Sequence, residues 1–174
     1  NNTEAWFGIP VQQKGSFKKK INEIKIVSDP TWKHKLLKSI RFSYQKYSGF
    51  KVYFPYFEEI IVKDHKLLVD INMNFLNLLA RLFKIKTPIS YSSQIPSHLN
   101  SSGRLVELCQ EHHGTSYLTG MGSKDYLDAT KFEKHNIEIL WHKPSSNIFY
   151  PQAKQEELRL SILHCLLKYG EPNL

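Results

Sequence analysis

From Thr87 onward the chain alternates between short apolar runs of strand length and longer amphipathic runs of helical length. Thr87–Tyr91, Thr115–Thr119 and Ile137–Trp141 read as strands. Ser102–His113, closed by Gly114, reads as a helix, as do a short stretch near Thr130–Lys134 and Glu156–Tyr169, closed by Gly170. Pro144–Pro151 reads as irregular. Parallel neighbours need a long crossover connection, so this alternation leads to a parallel sheet with covering helices. The fold class expected is α/β, with a mainly parallel, Rossmann-like three-layer sheet. Ligands of such sheets bind beyond the carboxyl ends of the strands.

The first half of the chain follows a different pattern. Trp6–Val11 reads as a short strand and Ile21, Ile24 and Ile26 as part of a second. Asp29-Pro30 marks a helix start, because Asp caps free N–H groups and Pro is tolerated in a first turn. Trp32, Leu36, Leu37, Ile40, Tyr44 and Tyr47 then share one face, and Gly49 is expected to end the helix. Val52–Val62 is a second helix, bent or started by Pro55. Lys66–Lys84 is the longest, with Leu68, Ile71, Phe75, Leu78, Leu79 and Leu82 inward. Residues 30–84 thus form a helical insertion in what is expected to be a single α/β domain spanning 1–174.

A net charge of +8 favours anionic partners, and lysines concentrate early, at Lys14, Lys18, Lys19, Lys20 and Lys25. No run reaches the ~20 apolar residues of a spanning helix, so membrane insertion is not expected. Cys109 and Cys165 both fall in helical patterns and read as reduced thiols, and no leader-like pattern opens the chain. Both features lead to the cytoplasm. The first residue is Asn and the run Ala5–Val11 begins abruptly, so an N-terminal piece is expected to be missing. Nothing in the sequence indicates an oligomeric state.

The foremost ligand-binding candidate is the loop Tyr117–Asp128. Gly120 and Gly122 permit positive φ and close backbone approach, while Ser123 and Lys124 offer a hydroxyl and a cation to a phosphate or carboxylate. Asp125 is a candidate general base. The loop is neither GxxxxGK[ST] nor GxGxxG, and a tight structural turn explains the same residues. Cys109 and His112 lie three apart on one helix, a conceivable thiolate–imidazole pair, though a core cysteine and a helix-terminal histidine fit as well. Arg104 near a helix start is a candidate anion clamp, with a solubilising charge as the plain reading. In Asn147–Gln152, Tyr150 and Gln152 offer a hydroxyl and an amide, against a rigid turn covering the core edge. In the last helix Leu158, Ile162, Cys165, Leu166 and Tyr169 share one face. Glu157, Ser161, His164 and Lys168 form a narrow polar stripe facing a cleft or, more simply, solvent. No four ligands stand at metal-site spacing, and no cofactor motif appears. Nucleic acid is not expected, because Tyr44 and Tyr47 lie on the buried face and no recognised binding motif is present.

Trp6-Phe-Gly-Ile-Pro-Val11, Trp32 with Ile40 and Tyr44, and Tyr117-Leu-Thr-Gly120 with Lys124-Asp125-Tyr126-Leu127 occur in one order with Phe132, Tyr150-Pro151-Gln152 and Leu160-Ser161-Ile162 ending at Gly170. This ordered set resembles the WbqC-like proteins of bacteria over essentially the whole chain. The resemblance implies a place in O-antigen or other surface-polysaccharide biosynthesis. It implies a transferase that moves a glycyl or related acyl group onto a nucleotide-linked amino sugar. Family members usually begin with a segment containing His-Gln-Pro, which nothing here matches, and favour an acidic residue where His164 stands. The alternative is a non-catalytic binding module for an anionic ligand or nucleic acid.

Overall fold

The computed structural model describes residues 4–143 and 148–174. The start of the irregular stretch expected at Pro144–Pro151, including Asn147, lies outside the described residues, as does the side chain of Leu158. Contacts divide the chain into two compact units, Asn1–Thr87 with Ser146–Leu174, and Pro88–Ser145.

The first unit is built around helices. Its α1 (Thr31–Tyr44) starts as its sequence dictates: Asp29 Oδ1 accepts the Thr31 N–H at 2.9 Å and the Thr31 hydroxyl at 2.6 Å. α2 (Ser48–Val62) runs through Pro55 and is the hub of the unit, packing against α1, α3 (Leu68–Leu82) and α6 (Ile162–Tyr169). It is apolar enough to do so, burying Tyr53, Phe54, Phe57 and Ile61. The core closes with Leu37 and Ile40 of α1, Leu78 of α3, and Cys165, Leu166 and Leu167 of α6. Lys33 of α1 donates to the Val62 and Lys63 carbonyls, satisfying the end of α2.

Several sequence expectations change here. Gly49 does not end α1, which stops at Tyr44; it lies buried in the first turn of α2. A Cβ there would stand 2.1 Å from the Leu166 carbonyl oxygen and 2.8 Å from the Gly170 nitrogen. Glycine is what lets α2 meet the end of α6. The helix expected over Glu156–Tyr169 is broken: a 3-10 turn at Glu157–Arg159 precedes extended Leu160, and Ser161 caps α6 by accepting the Leu163 N–H. The two N-terminal strands shrink to isolated bridges, Val11 opposite Ile26 and Lys25 opposite Leu67, and Ile21–Glu23 is a 3-10 turn. Pro10 has no N–H to give a ladder and contributes only its carbonyl, to Val27.

The second unit follows its sequence pattern more closely. α4 (Ser101–Glu111) is closed by the Gly114 N–H on the Cys109 carbonyl, and β1 (Ser116–Gly120) follows. α5 (Ala129–Glu133) leads to β2 (Glu138–His142), which pairs parallel to β1 in the register Ser116↔Glu138 to Gly120↔His142. Phe132 is fully buried among Val106, Ile137 and the Tyr117 ring. The expected strand Thr87–Tyr91 is exposed and irregular, with Pro88 removing a ladder donor. The chain is therefore a mixed α/β structure with a parallel strand pair, and among the described residues the sheet has two strands rather than the wide three-layer sheet expected. No described helix is long and apolar enough to cross a membrane.

Gly49→Ala tests the helix contact by its sign. At an open helical position Ala would stabilise by roughly 0.5–1 kcal/mol. Against the Leu166 carbonyl it should destabilise instead, by about 1–3 kcal/mol in urea unfolding.

Candidate functional site

The carboxyl ends of β1 and β2 carry the best-formed candidate. β1 ends at Gly120, and Met121–Ser123 turn as one 3-10 unit. Ser123 holds the turn: its hydroxyl is buried, donates to the Gly120 carbonyl at 2.8 Å and lies 2.7 Å from the Thr119 hydroxyl. Its polar capacity is spent within the loop. Lys124 is exposed, with Nζ 5.2 Å from the centre of the Trp141 ring. Parallel register sets Thr119 beside Trp141 and Gly120 beside His142, so both residues share the loop's edge of the sheet. Trp141 was readable only as the end of a strand and His142 lay beyond it; the parallel pairing is what brings both to this candidate edge.

The two glycines differ from expectation. Neither Gly120 nor Gly122 adopts a positive φ, and a Cβ built on either meets nothing within 4 Å. Neither backbone strain nor packing demands glycine at these positions. They leave a strip of exposed backbone beside Lys124 and Asp125, both exposed.

The remaining candidates fall in both units: Arg104, Cys109 and His112 in the second, Tyr150 and Gln152 in the first. The Arg104 guanidinium pairs with Glu107 and donates to the Ser92 and Ile95 carbonyls at 2.6 and 2.7 Å, strapping residues 92–95 to α4. The buried face of α4 runs through Ser102, Leu105, Val106 and Cys109 rather than through Leu108 and His112. His112 is exposed, with Nε2 3.0 Å from the Ser90 hydroxyl. Burial pushes the Cys109 thiol up, away from the thiolate a nucleophile needs. Tyr150 belongs to the first unit, is only 2% exposed, and donates to the Gly170 carbonyl at 3.2 Å. Gln152 is exposed in the same unit, lining a shallow depression with Phe149, Pro151 and Pro172.

The polar stripe of the last helix folds inward. Lys168 and the Tyr169 hydroxyl both bond Glu157, whose Oε1 lies 3.5 Å from His164 Nε2. His164 Nδ1 lies 2.8 Å from the Tyr44 hydroxyl of α1. Four of these five groups come from residues 157–169, and Tyr44 ties them to α1. The cluster closes one side of the helical core. Among the described residues no group of three or more His, Cys, Asp or Glu is placed to hold a metal ion.

The model of the WbqC-like protein family matches residues 1–174, and the chain belongs to that family. It is similar to the uncharacterized protein Rv1507c of Mycobacterium tuberculosis, at 26% identity over 167 residues, covering 95% of this chain and 72% of the relative. No solved structure matches the chain.

The Glu157 cluster sets an acid response. Burial alone would raise the Glu157 carboxyl, but bonds from Lys168, Tyr169 and the Lys154 N–H outweigh it and bring it down to about 2. Burial also lowers His164, against the opposing pull of Glu157. A lowered histidine binds its proton more readily unfolded, so stability falls as pH drops below about 6.5. A lowered glutamate contributes stability above its unfolded value, and that contribution is lost as pH falls from about 4.5 towards 2. Thermal melts should therefore show a falling midpoint between pH 7 and 5 that flattens in His164→Gln. A slope unchanged by that substitution would place the response elsewhere.

Proposed function

We propose that the Gly120–Lys124 loop binds the phosphates of a nucleotide-linked amino sugar, and that the protein is a transferase in bacterial O-antigen or surface-polysaccharide biosynthesis. The observation that carries this reading is the bare backbone at Gly120 and Gly122, beside an exposed Lys124 and at the carboxyl edge of parallel strands. Membership of the WbqC-like family supports the pathway, and the basic balance supports an anionic ligand. The Trp141 face and His142 complete the edge with a stacking surface and a second titratable donor.

In the reaction favoured here, the sugar amine attacks the carbonyl carbon of an activated glycyl or related acyl group. The C–N bond forms, the activating group departs, and the amine proton passes to a base. Asp125, exposed beside Lys124, is assigned that base role. Tyr150 has no part in this mechanism, because its hydroxyl is buried against Gly170. On the same reading a further layer covers the face bearing Leu118 and Leu140, 65% and 41% exposed, as the faces of parallel sheets normally are covered.

A second reading, a non-catalytic module for anionic ligands, draws on the contacts that already engage the candidate reacting groups. His112 pairs with Ser90, and Tyr150 is buried with its hydroxyl on the Gly170 carbonyl.

Gly122→Ala separates binding from folding. The added methyl meets nothing in the protein, so the thermal midpoint should not move, while affinity for UDP- or dTDP-linked amino sugars should fall roughly ten-fold or more in calorimetry. Lys124→Ala should weaken the same ligands and leave free amino sugars unaffected. Unchanged nucleotide-sugar affinity in both variants would rule the loop out. Binding that survives in Asp125→Asn while acyl transfer stops would support the catalytic reading over the module.

A further inference from the structure

One surface of the first unit is unused by this reading. Residues 12–24 leave and rejoin the unit at one place: Gln12 N–H bonds the Lys25 carbonyl at 2.9 Å, Val27 N–H bonds the Pro10 carbonyl at 2.9 Å, and Val11 faces the buried Ile26. The excursion between them is internally tied. Gly15 takes a φ of 74°, the Ser16 hydroxyl donates to the Gln13 carbonyl, and Lys19 N–H bonds back to Ser16. Glu23 accepts the Lys20 N–H at 2.8 Å while its own N–H bonds the Lys20 carbonyl.

The loop is ordered by its own backbone, yet it buries none of its apolar side chains deeply. Phe17 at its tip is fully exposed and Ile21 is 62% exposed. Around them stand Lys14, Lys18, Lys19 and Lys20, all exposed, against the single acid Glu23. Glu23 is itself engaged by the backbone at Lys20. An ordered loop that holds an aromatic ring and a branched aliphatic chain in water gains nothing from doing so within the chain. Large exposed apolar side chains rimmed by cations fit a surface that is negatively charged outside and apolar beneath.

We propose that the loop of residues 12–24 docks the protein on an anionic lipid bilayer, with Phe17 and Ile21 entering the headgroup–acyl boundary and Lys14, Lys18, Lys19 and Lys20 contacting lipid phosphates. On this proposal the protein rests on the bilayer, and no described helix is long and apolar enough to cross it. The lysine stems lie along the boundary while their ammonium groups stay with the phosphates. Nucleic acid would also attract the lysines and stack on Phe17, but it has no use for Ile21, whose aliphatic chain offers no stacking face. The bilayer accounts for both apolar residues and is the partner the loop favours.

The test is co-sedimentation of the full chain with vesicles of phosphatidylglycerol and phosphatidylcholine, against vesicles of phosphatidylcholine alone. The expected result is binding to the anionic vesicles that weakens with added salt. Phe17→Ala should lower the partition coefficient roughly ten-fold, since burial of a large apolar side chain is lost. The triple variant Lys18→Gln, Lys19→Gln, Lys20→Gln should lower it on the order of a hundred-fold. Phe17→Trp should give a blue-shifted emission quenched by brominated lipid. All these side chains are exposed, so circular dichroism should remain unchanged. Absence of vesicle binding would overturn the proposal, as would binding insensitive to Phe17→Ala. Binding to single-stranded oligonucleotide that depends on Phe17 while vesicles are ignored would reassign the surface to nucleic acid. The loop lies outside the unit that carries Gly120 and Lys124, so failure here leaves the nucleotide-sugar reading untouched, and the reverse holds too.

Discussion

The first unit depends on how closely α2 can approach the end of α6. Gly49 and Gly170 meet there with their Cα atoms in reach of each other's missing side chains, and Gly170 also takes a φ of 84°. That approach lets Leu166 and Leu167 become fully buried against the aromatic side of α2. It also fixes Tyr150, whose hydroxyl bonds the Gly170 carbonyl, and sets the position of Lys168 and Tyr169 around Glu157. The charged cluster is therefore a consequence of the helix contact. Removing Glu157 would take away the carboxylate that Lys168 bonds and leave its ammonium over the Tyr47 and Tyr169 rings.

The candidate ligand edge has a different physical basis. Its two strands are covered on one face by Phe132, Val106 and Ile137, which hold Tyr117 and Ile139. The covered face fixes the register, and the register brings Trp141 and His142 to Gly120. The loop is shaped from within, by Ser123 on the Gly120 carbonyl. Lys124 and Asp125 stand exposed beside it, with the Lys124 ammonium over the Trp141 ring.

Helices 31–82 were legible because a 3.6-residue apolar period is a strong signal and Asp29 offers its carboxylate where a first turn needs one. The succession of β1, α5 and β2 was legible for a similar reason, with Gly114 a clear stop. Gly49 was not, because a glycine that ends one helix and a glycine that admits a neighbour look alike until Leu166 is placed. Trp6–Val11 and Thr87–Tyr91 show strand-like residues with no ladder to join, and pairing is a tertiary property. Arg104 looked available because its acceptors, the carbonyls of Ser92 and Ile95, carry no side-chain signature. The loop after β1 was legible as a turn but its geometry was not: open space rather than positive φ distinguishes Gly120 and Gly122.

The division of the first unit between Asn1–Thr87 and Ser146–Leu174 has a kinetic consequence. During synthesis α1, α2 and α3 leave the ribosome well before α6, and all of Pro88–Ser145 intervenes. The side of α2 that later receives Leu166 and Leu167 must wait in water, and closing that contact means closing a loop of more than a hundred residues. Such non-local closure is slow and leaves an apolar helix face open to other nascent chains in the interval. Folding of this chain is thus gated by its last helix. The α2 face, rather than any strand edge, is where aggregation would begin if α6 were delayed or damaged.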